Sequence, residues 1–327
     1  MCLKYSERMT LQQLRFLREI ARQSLNISNA ATALHTSQPG VSRQIQSLEH
    51  ELGVQLLRRR KNRILGLTET GNEILHAAQR ALNEIENIRL IAGEMSEPGK
   101  GRLMLATSHL HARYTLLRPV KAFVERYPGV ELHLLQADPD DIPALLEASE
   151  ADVGVSTEIA KKPQGLVTLS GGTMQRSLIV PRGHALAGRK RVTLADIARY
   201  PIVGYSSRFR GGQLIAQTFR EHGLKARLVV SASDSDVIKA YVAEGLGIAV
   251  VPTLALDESD SRLSAIDVTE LFPRSTMTVS LRPDFYPRRY LLDFISMLAP
   301  KFNRNALQKA MNAGGSTLQS RGAQAAR

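Results

Sequence analysis

The chain has 327 residues, of which 43% are hydrophobic and 23% charged, and its formal net charge is +12. This length suits two or three domains. No run of about 18 apolar residues is present to cross a membrane, and the single cysteine, Cys2, excludes an intramolecular disulfide and a multi-cysteine metal site. The first residues lack the pattern of a secretory signal, so we expect a cytoplasmic protein.

The positive charge is concentrated at the two ends of the chain. Residues 1–67 carry a net charge of +7, residues 301–327 carry +5, and residues 68–300 are neutral. A basic end on a neutral body favours a polyanionic partner, nucleic acid first and an acidic membrane second. Charge alone leaves open a third reading, a basic face that is merely solvated.

The first seventy residues predict three helices and then two strands. Thr10 is a suitable N-cap for the first helix and Asn26 for a second, alanine-rich helix over 27–34. The third helix follows Ser37 and ends at Gly53. Small residues permit the close helix crossing of a helix-turn-helix unit, which we place at about 27–46. Residues 56–68 then read as a strand, a basic turn and a second strand, as in a wing.

The third helix carries two different faces. Its apolar row consists of Val41, Ile45, Leu48 and Leu52. Its polar groups fit base edges or phosphates, because Gln suits adenine, Arg suits guanine and hydroxyls suit either partner. The predicted DNA-binding residues are Thr36, Ser37, Gln38, Pro39, Ser42, Arg43 and Gln46 on this helix and Arg58, Arg59, Lys61 and Arg63 in the wing. The alternative is a structural helical hairpin with incidental basic residues.

Residues 68–92 form one amphipathic helix whose length requires a partner for its apolar stripe. The stripe consists of Ile74, Leu75, Ala78, Leu82, Ile85 and Ile88. A second subunit or the helix's own chain could cover it. The Gly- and Pro-containing segment 93–101 is predicted as a hinge, and the basic residues 301–327 as a flexible tail.

From residue 102 to about 300, strand-like and helix-like segments alternate. The predicted strands are RLMLATS, VELHLLQA, ADVGVST, SLIVP, IVGYS, ARLVVSA, GIAVVP and TMTVSLRP. The alternation predicts an α/β region with largely parallel sheets in two lobes, and a ligand in the cleft beyond the carboxyl ends of the strands.

Several polar residues stand at the ends of these predicted strands, where helices begin. They are Ser108, His109, Thr157, Ser206 and Ser233. Hydroxyls and free amides at helix starts favour a sulfate-like oxyanion, although each hydroxyl could equally be a simple cap. Arg208 and Arg210 either guard the mouth of the cleft or lie on a solvated loop.

The stretches LQQLRFLREIA, AATALHTSQPGVSRQIQSLEHELGVQLLRR and LTETG resemble the winged helix-turn-helix of LysR-type transcriptional regulators. FVERYPGVELHL, HALAGRKRVTLADIARYPIV and VIKAYVAEGLGIAVVP match the effector module of that family. The resemblance implies an α/β fold overall, with a winged helix-turn-helix domain (9–67), a dimerisation linker helix (68–92), the hinge, and a two-lobed, periplasmic-binding-protein-like effector domain (102–300). It also implies partners: promoter DNA, a small-molecule effector, further copies in a homodimer or homotetramer, and RNA polymerase, but no membrane.

Within the family, KGRLMLATSHLHARYTL and SASDSDVIKAYV resemble the CysB-like subfamily, the regulators of cysteine and sulfonate-utilisation genes. This implies an activator controlled by a sulfate-like anion, adenosine phosphosulfate or acetylserine, and it adds Thr107, Leu110 and His111 to the effector site. Leu110 replaces a hydroxyl and His111 an amide of the relatives, so the pocket is reshaped or His111 charges with pH.

Two other readings of the chain compete with a regulator. One is a cytoplasmic anion-binding protein without a gene-regulatory role. The other is an enzyme, but the sequence contains no nucleophile or base with a partner, and no cofactor fingerprint. His109 and His111 lack a third ligand, so we predict no metal site.

Overall fold

The computed structural model describes residues 9–60, 63–97, 99–157, 165–257 and 259–299, together with residues 307, 311, 317 and 318. The predicted tail therefore lies outside the described residues except at those four positions. The chain divides into two compact units, Met1–Ser96 with Asp284–Tyr286, and Glu97–Pro283 with Pro287–Arg327. Among the described residues, no helix has both the length and the apolar character needed to cross a membrane.

The first unit contains three short helices, a two-stranded antiparallel sheet and one long helix. In chain order these are α1 (Leu11–Arg22), α2 (Ile27–Ala33), α3 (Gln38–Leu52), β1 (Leu57–Arg60), β2 (Arg63–Leu67) and α4 (Glu69–Ser96). Thr10 forms a capping box with Gln13, and Asn26 caps α2. Gly53 ends α3 in the left-handed conformation, with φ of 67°.

One apolar core joins α1, α2 and α3. Ala30 and Ala31 are buried between the helices, as the alanine-rich sequence predicts, and Val41, Ile45 and Leu48 of α3 are at most 1% exposed. The prediction for Leu52 was wrong, since this side chain is 36% exposed. It lies in the last turn of α3, where the chain leaves the core. The buried face of α3 therefore comprises its first three turns.

The linker helix α4 is longer than its predicted bounds and continues through residues 93–96, which the sequence assigned to the hinge. One glycine is tolerated inside a helix at about 1 kcal/mol, and its neighbours Glu94 and Met95 are good helix formers. Ala78 and Leu82 pack against Leu14 of α1 in the same chain. Further along α4, apolar side chains are exposed, namely Ile88, Ile91 and Met95.

The second unit has two lobes, of which the first is built on one six-stranded sheet and the second on a three-stranded and a two-stranded sheet. Lobe one holds β3 (Lys100–Thr107), β4 (Gly129–Gln136), β5 (Val153–Thr157), β6 (Val167–Met174), β12 (Ser275–Leu281) and β13 (Thr317–Leu318), in the sheet order β13-β6-β12-β5-β3-β4. Its helices are α5 (Leu117–Arg126), α6 (Ile142–Glu147) and α10 (Arg289–Leu298). Strand β3 pairs in parallel with β4 and β5, whereas β12 is antiparallel to β5 and β6.

Lobe two lies between β6 and β12 in the chain. Its strands are β7 (Arg176–Pro181), β8 (Pro201–Tyr205), β9 (Arg227–Ala232), β10 (Ala249–Pro252) and β11 (Leu263–Asp267), and its helices are α7 (Leu194–Ala198), α8 (Arg210–Glu221) and α9 (Ser235–Ala243). Strand β7 is antiparallel to both β10 and β11, while β8 and β9 are parallel. The α/β class and the two lobes agree with the prediction, but the sheets are mixed and not largely parallel.

Three strands and one α-helix among the described residues of this unit were not predicted: β6, β11, β13 and α10. Strand β6 contains Gly171 and Gly172, and glycine pairs usually indicate a turn. The Cβ of any other residue at 171 would lie 2.5 Å from the Met277 side chain, so glycine permits close packing against β12 here. Helix α10 follows Pro287, and seven of its ten residues are buried.

Candidate functional site

The N-terminal end of α3 forms an exposed polar surface, which we call the recognition surface. Ser37 caps the helix, and its Oγ accepts a hydrogen bond from the Gly40 amide at 3.2 Å. Pro39 occupies the first turn, where its missing N–H would have no helical partner. A Cβ at Gly40 would lie 3.2 Å from Ser37 Oγ and 3.3 Å from Thr36 Oγ1, so glycine leaves room for both hydroxyls.

The predicted DNA-binding side chains of α3 share this surface. Gln38, Arg43 and Gln46 are exposed and Ser42 is half-buried, at spacings that place them on one side of the helix. Arg43 Nε is directed back toward the Pro39 carbonyl at 3.4 Å. The guanidinium otherwise lies free on the surface, so amide, hydroxyl and guanidinium groups are presented together in the pattern suited to base edges.

Strand β1 of the wing carries three consecutive exposed arginines, and the middle one has an ion-pair partner in the same unit. Arg58 and Arg60 are exposed on β1. Arg59 forms an ion pair from Nη1 to Glu49 Oε2 at 2.7 Å, and the Glu49 side chain is only 3% exposed. Only one nitrogen of the guanidinium is used in this pair, and the side chain is 29% exposed, so the assignment of Arg59 to phosphate stays a prediction. Lys61 and the side chain of Arg63 lie outside the described residues.

Glu49 connects the recognition helix to the wing. Its Oε1 accepts hydrogen bonds from the amides of Leu56 and Leu57 at 2.9 and 3.1 Å. With the Arg59 ion pair, one buried side chain fixes the start of β1 relative to α3. A buried carboxylate requires such compensation, and this one sets the position of the wing.

A cavity of 510 Å³ lies between the two lobes of the second unit, and we call it the cleft cavity. Its wall is formed by the loops after β3, β4 and β8, by the starts of α8 and α9, and by strand ends where the chain crosses between the lobes. Its lining residues are Ser108, His109, Leu110, Gln136, Ala137, Asp138, Pro139, Thr157, Met174, Arg176, Tyr205, Phe209, Arg210, Gly211, Leu214, Ser233, Asp234, Ser235, Pro252 and Ser275. This position beyond strand ends is the usual ligand position in α/β sheets.

The structure brings five of the eight predicted effector residues to the cleft cavity. They are Ser108, His109, Leu110, Thr157 and Ser233. Ser206 lines a neighbouring depression instead, beside Arg208 and Asp138. Thr107 and His111 are fully buried and do not reach the cavity. Thr107 Oγ1 donates to the Val155 carbonyl at 2.8 Å, which ties β3 to β5.

His111 lies behind the cavity wall. It begins a π-helical segment, His111–Thr115, which directs its ring into the lobe. The ring nitrogens lie 2.9 Å from Thr115 Oγ1 and 3.5 Å from Thr157 Oγ1. Burial lowers the pKa of His111 to about 4. The ring is therefore neutral near neutral pH, and the prediction that it charges in the pocket was wrong.

Two residues that line the cavity, Arg176 and Tyr205, were not predicted from the sequence. Arg176 is 5% exposed, and its Nη2 donates to Ser275 Oγ at 2.6 Å. The Tyr205 hydroxyl pairs with Ser235 Oγ at 2.6 Å, and burial raises the pKa of the phenol, so it stays neutral. A charged residue at the start of a strand that is otherwise mostly apolar (RSLIVP) was the available signal for Arg176.

Three polar atoms of the cavity residues are buried without a hydrogen-bond partner: Ser108 Oγ, His109 Nδ1 and Arg210 Nε. Arg210 is the first residue of α8, and its N-cap, Phe209, supplies no side-chain hydrogen bond to that helix. The first-turn amides and the positive end of the helix dipole therefore add to the guanidinium charge. Gly212 permits this position, because a Cβ there would lie 2.6 Å from the Ser206 carbonyl oxygen.

His109, Asp234 and Asp236 place three possible metal-ligand atoms within 4.8 Å of one another. Asp236 is already bound by cations, with Arg113 Nε at 3.1 Å and Lys239 Nζ at 3.0 Å. Asp234 caps α9 through the Val237 amide. Because a metal ion would compete with two cationic side chains for one carboxylate, the arrangement serves as an internal ion pair and we assign no metal to it.

Comparisons with known proteins agree with this arrangement. Residues 11–72 match the family model described as "Bacterial regulatory helix-turn-helix protein, lysR family", and residues 96–303 match "LysR substrate binding domain". The chain is 41% identical to the transcriptional regulator SsuR of Burkholderia cenocepacia, over 90% of this chain and 96% of the relative. It is 37% identical to CysB of the same species (93% and 97%) and 40% identical to cbl of Escherichia coli (88% and 92%).

Solved structures give the same result. The cofactor-binding domain of the Cbl transcriptional regulator has a TM-score of 0.61 and 35% identity, covering 65% of this chain and 93% of that one. Full-length CbnR bound to its target DNA has a TM-score of 0.55 over 89% of this chain and 99% of that one. At 24% identity the second likeness concerns the fold alone.

A helix-turn-helix unit joined to a two-lobed ligand-binding unit defines a DNA-binding transcriptional regulator with a small-molecule site. The chain belongs to the LysR family of bacterial transcriptional regulators, and its similarity to SsuR, CysB and cbl confirms the resemblance to the CysB-like subfamily. Its relatives are regulators and not enzymes. This family membership also argues against an anion-binding protein without a regulatory role.

Proposed function

We propose that this regulator activates sulfur-assimilation or sulfonate-utilisation genes in the cytoplasm, under the control of a small sulfur-related anion bound in the cleft cavity. The observation that carries the proposal is the set of unpaired polar atoms in that cavity. Ser108 Oγ and Arg210 Nε are buried without partners, beside a helix start that has no side-chain cap. Such a site binds an oxyanion through donors and a positive helix end.

Binding in this cavity acts on both lobes. Ser108, Leu110 and Thr157 come from lobe one, whereas Arg210 and Ser233 come from lobe two. A ligand held by donors of both lobes favours the lobe arrangement in which those donors converge. We infer that this shift changes how paired copies of the regulator engage promoter DNA, and that RNA polymerase responds to the change.

The protomers pair through the linker helix in this proposal. Ile88, Ile91 and Met95 on α4 are 64%, 42% and 81% exposed. An apolar row of this kind is stabilised when a second helix covers it. The proposal therefore includes a homodimer through α4, and a homotetramer when two dimers share one promoter.

A ligand panel tests the effector part of the proposal. Sulfate, thiosulfate, adenosine phosphosulfate and acetylserine are added separately to the full-length protein in a thermal-shift assay. A specific ligand raises the melting temperature by mass action, and Arg210→Ala abolishes that rise. Arg89→Ala is the matched control, since Arg89 is exposed on α4 and outside the cavity. No shift with any of the four compounds contradicts this effector class.

A further inference from the structure

The cleft cavity is much larger than an inorganic oxyanion. Its volume of 510 Å³ falls within the range of about 300–1,000 Å³ that is typical of sites for organic ligands. Sulfate has only five heavy atoms, and one water molecule takes roughly 30 Å³ in the liquid. A bound sulfate would therefore leave most of the cavity to another part of the ligand or to water.

The three unpaired polar atoms belong to two segments of the wall, the loop after β3 and the start of α8. Ser108 is 9% exposed, and its Oγ has no partner. Arg210 supplies the other unpaired donor, Nε, at the start of α8, and His109 supplies an unpaired ring nitrogen. These groups can hold one anionic head between the two lobes, and its charge would lie at the positive end of α8.

Most of the other polar groups on the wall already have partners within the protein. Tyr205 pairs with Ser235 at 2.6 Å, and Arg176 donates to Ser275 at 2.6 Å. The Asp138 carboxylate binds Arg208 Nη2 at 2.6 Å. A ligand that contacts this part of the wall gains little from further polar groups, because it would have to displace bonds that exist already.

Six further large side chains of the wall are apolar. They are Leu110, Pro139, Met174, Phe209, Leu214 and Pro252. Leu110 directly follows the predicted anion-binding residues Ser108 and His109 in the chain, so apolar surface adjoins the anionic head group. Burial of aliphatic carbon against such surface is favourable in proportion to the area removed from water.

We propose that the effector is an organic oxyanion, with a tetrahedral anionic head and an aliphatic body of several carbons, and not inorganic sulfate alone. This inference rests on the proposed function, because it specifies the ligand of the same cavity. The head binds Ser108 and Arg210, and the body lies against Leu110 and the apolar side chains of lobe two. Sulfonates and phosphonates share this chemistry.

A homologous series tests the proposal. Isothermal titration calorimetry on the full-length protein compares sulfate, methanesulfonate, propanesulfonate and hexanesulfonate, with the matching alkylphosphonates as a second arm. Each methylene that becomes buried raises the affinity about fourfold, so propanesulfonate binds about tenfold or more tightly than methanesulfonate. The two arms identify which head group the site prefers.

Two variants test the contacts to the anionic head and to the aliphatic body of the ligand separately. Leu110→Ser reduces the gain in affinity per methylene, whereas Arg210→Ala weakens every member of the series by a similar factor. Leu65→Ser is the matched control, because Leu65 is 60% exposed in the wing and outside the cavity. It leaves the whole series unchanged.

Two results would overturn the inference and keep the proposed function. Either sulfate binds and chain length has no effect on affinity, or the gain per methylene is the same in Leu110→Ser as in the native protein. If no member binds, sulfate included, the inference and the effector part of the proposed function both fail.

Discussion

The recognition surface and the cleft cavity differ in how the fold presents their polar groups. On α3, consecutive turns of one helix carry Gln38, Ser42, Arg43 and Gln46 toward solvent, and a buried apolar face holds that helix rigidly. In the cleft, polar groups from many separate segments converge, and three of their atoms are buried without partners. A surface formed by one element is complete before binding, whereas a site divided between two lobes is completed by its ligand.

The largest expected effect concerns the rigidity of the recognition surface. Glu49→Ala removes a buried carboxylate that binds Arg59 and two backbone amides. Buried donors left without partners cost about 1–3 kcal/mol each, so we expect the free energy of unfolding of the first unit to fall by about 3–5 kcal/mol. Urea denaturation measures this loss.

Glu73→Ala is the control, since Glu73 is exposed on α4 and exposed substitutions change stability by about 0.5 kcal/mol or less. If Glu49→Ala is as stable as Glu73→Ala, the wing is not held by Glu49.

The second-largest expected effect is on stability at low pH, and it comes from His111, which is buried behind the wall of the cleft cavity. The folded protein keeps His111 neutral with a pKa of about 4, below the ordinary value of 6.5. Between these values the unfolded chain binds a proton that the folded protein does not, so stability is complete above pH 6.5 and falls as the pH drops toward 4. The loss reaches about 3 kcal/mol.

His111→Gln removes this titration and flattens the pH dependence, although Gln itself changes the stability at pH 7. Urea denaturation from pH 7.5 to pH 4.5 measures the difference in slope. His133→Gln, at an exposed histidine, is expected to keep the native slope. An unchanged slope in His111→Gln would show that other groups cause the acid sensitivity.

Loss of a base contact is expected to have a smaller effect, limited to the affinity for DNA that contains the specific promoter site. Arg43→Ala weakens binding to the specific promoter site by about 5- to 150-fold, because a direct base contact contributes about 1–3 kcal/mol of discrimination. Fluorescence anisotropy compares this site with a scrambled duplex, and Arg89→Ala serves as the control. Equal losses on both duplexes would assign Arg43 to the phosphate backbone.

The smallest effect concerns the wing. Arg58→Ala weakens binding to all sequences alike and reduces the slope of log affinity against log salt concentration by about 0.9, the value for one phosphate contact. Arg59→Ala reduces that slope by less and also lowers stability, because Arg59 binds Glu49 as well. Salt titrations of both variants separate the two roles, and identical slopes would contradict them.

The difference between the recognition surface and the cleft cavity also explains which of their features could be predicted from sequence. Helix α3, its caps and its polar face follow from a local period of 3.6 residues, so a short stretch of sequence contains them. Leu52 was misplaced, since a period does not reveal where a helix leaves the core. The ion pair of Arg59 was not predicted, because its partner Glu49 lies ten residues away and on another element.

The cleft could be predicted only in part. Ser108, Leu110 and Thr157 stand at strand ends, which a pattern can locate. Arg176 reaches the cavity through the crossing between lobes, which depends on the mixed sheet order and not on local sequence. His111 turns inward because a π-helical segment begins there, and alternation of polar and apolar residues gives no sign of such a segment.

We propose that a ligand in the cleft cavity controls DNA binding by the recognition surface. The most direct measurement is a footprint of the full-length protein on its promoter with and without propanesulfonate, repeated with Arg210→Ala. We predict that the ligand changes the length or the affinity of the native footprint, and that Arg210→Ala binds the promoter but no longer responds. A ligand that binds the native protein and leaves the footprint unchanged would contradict the claim.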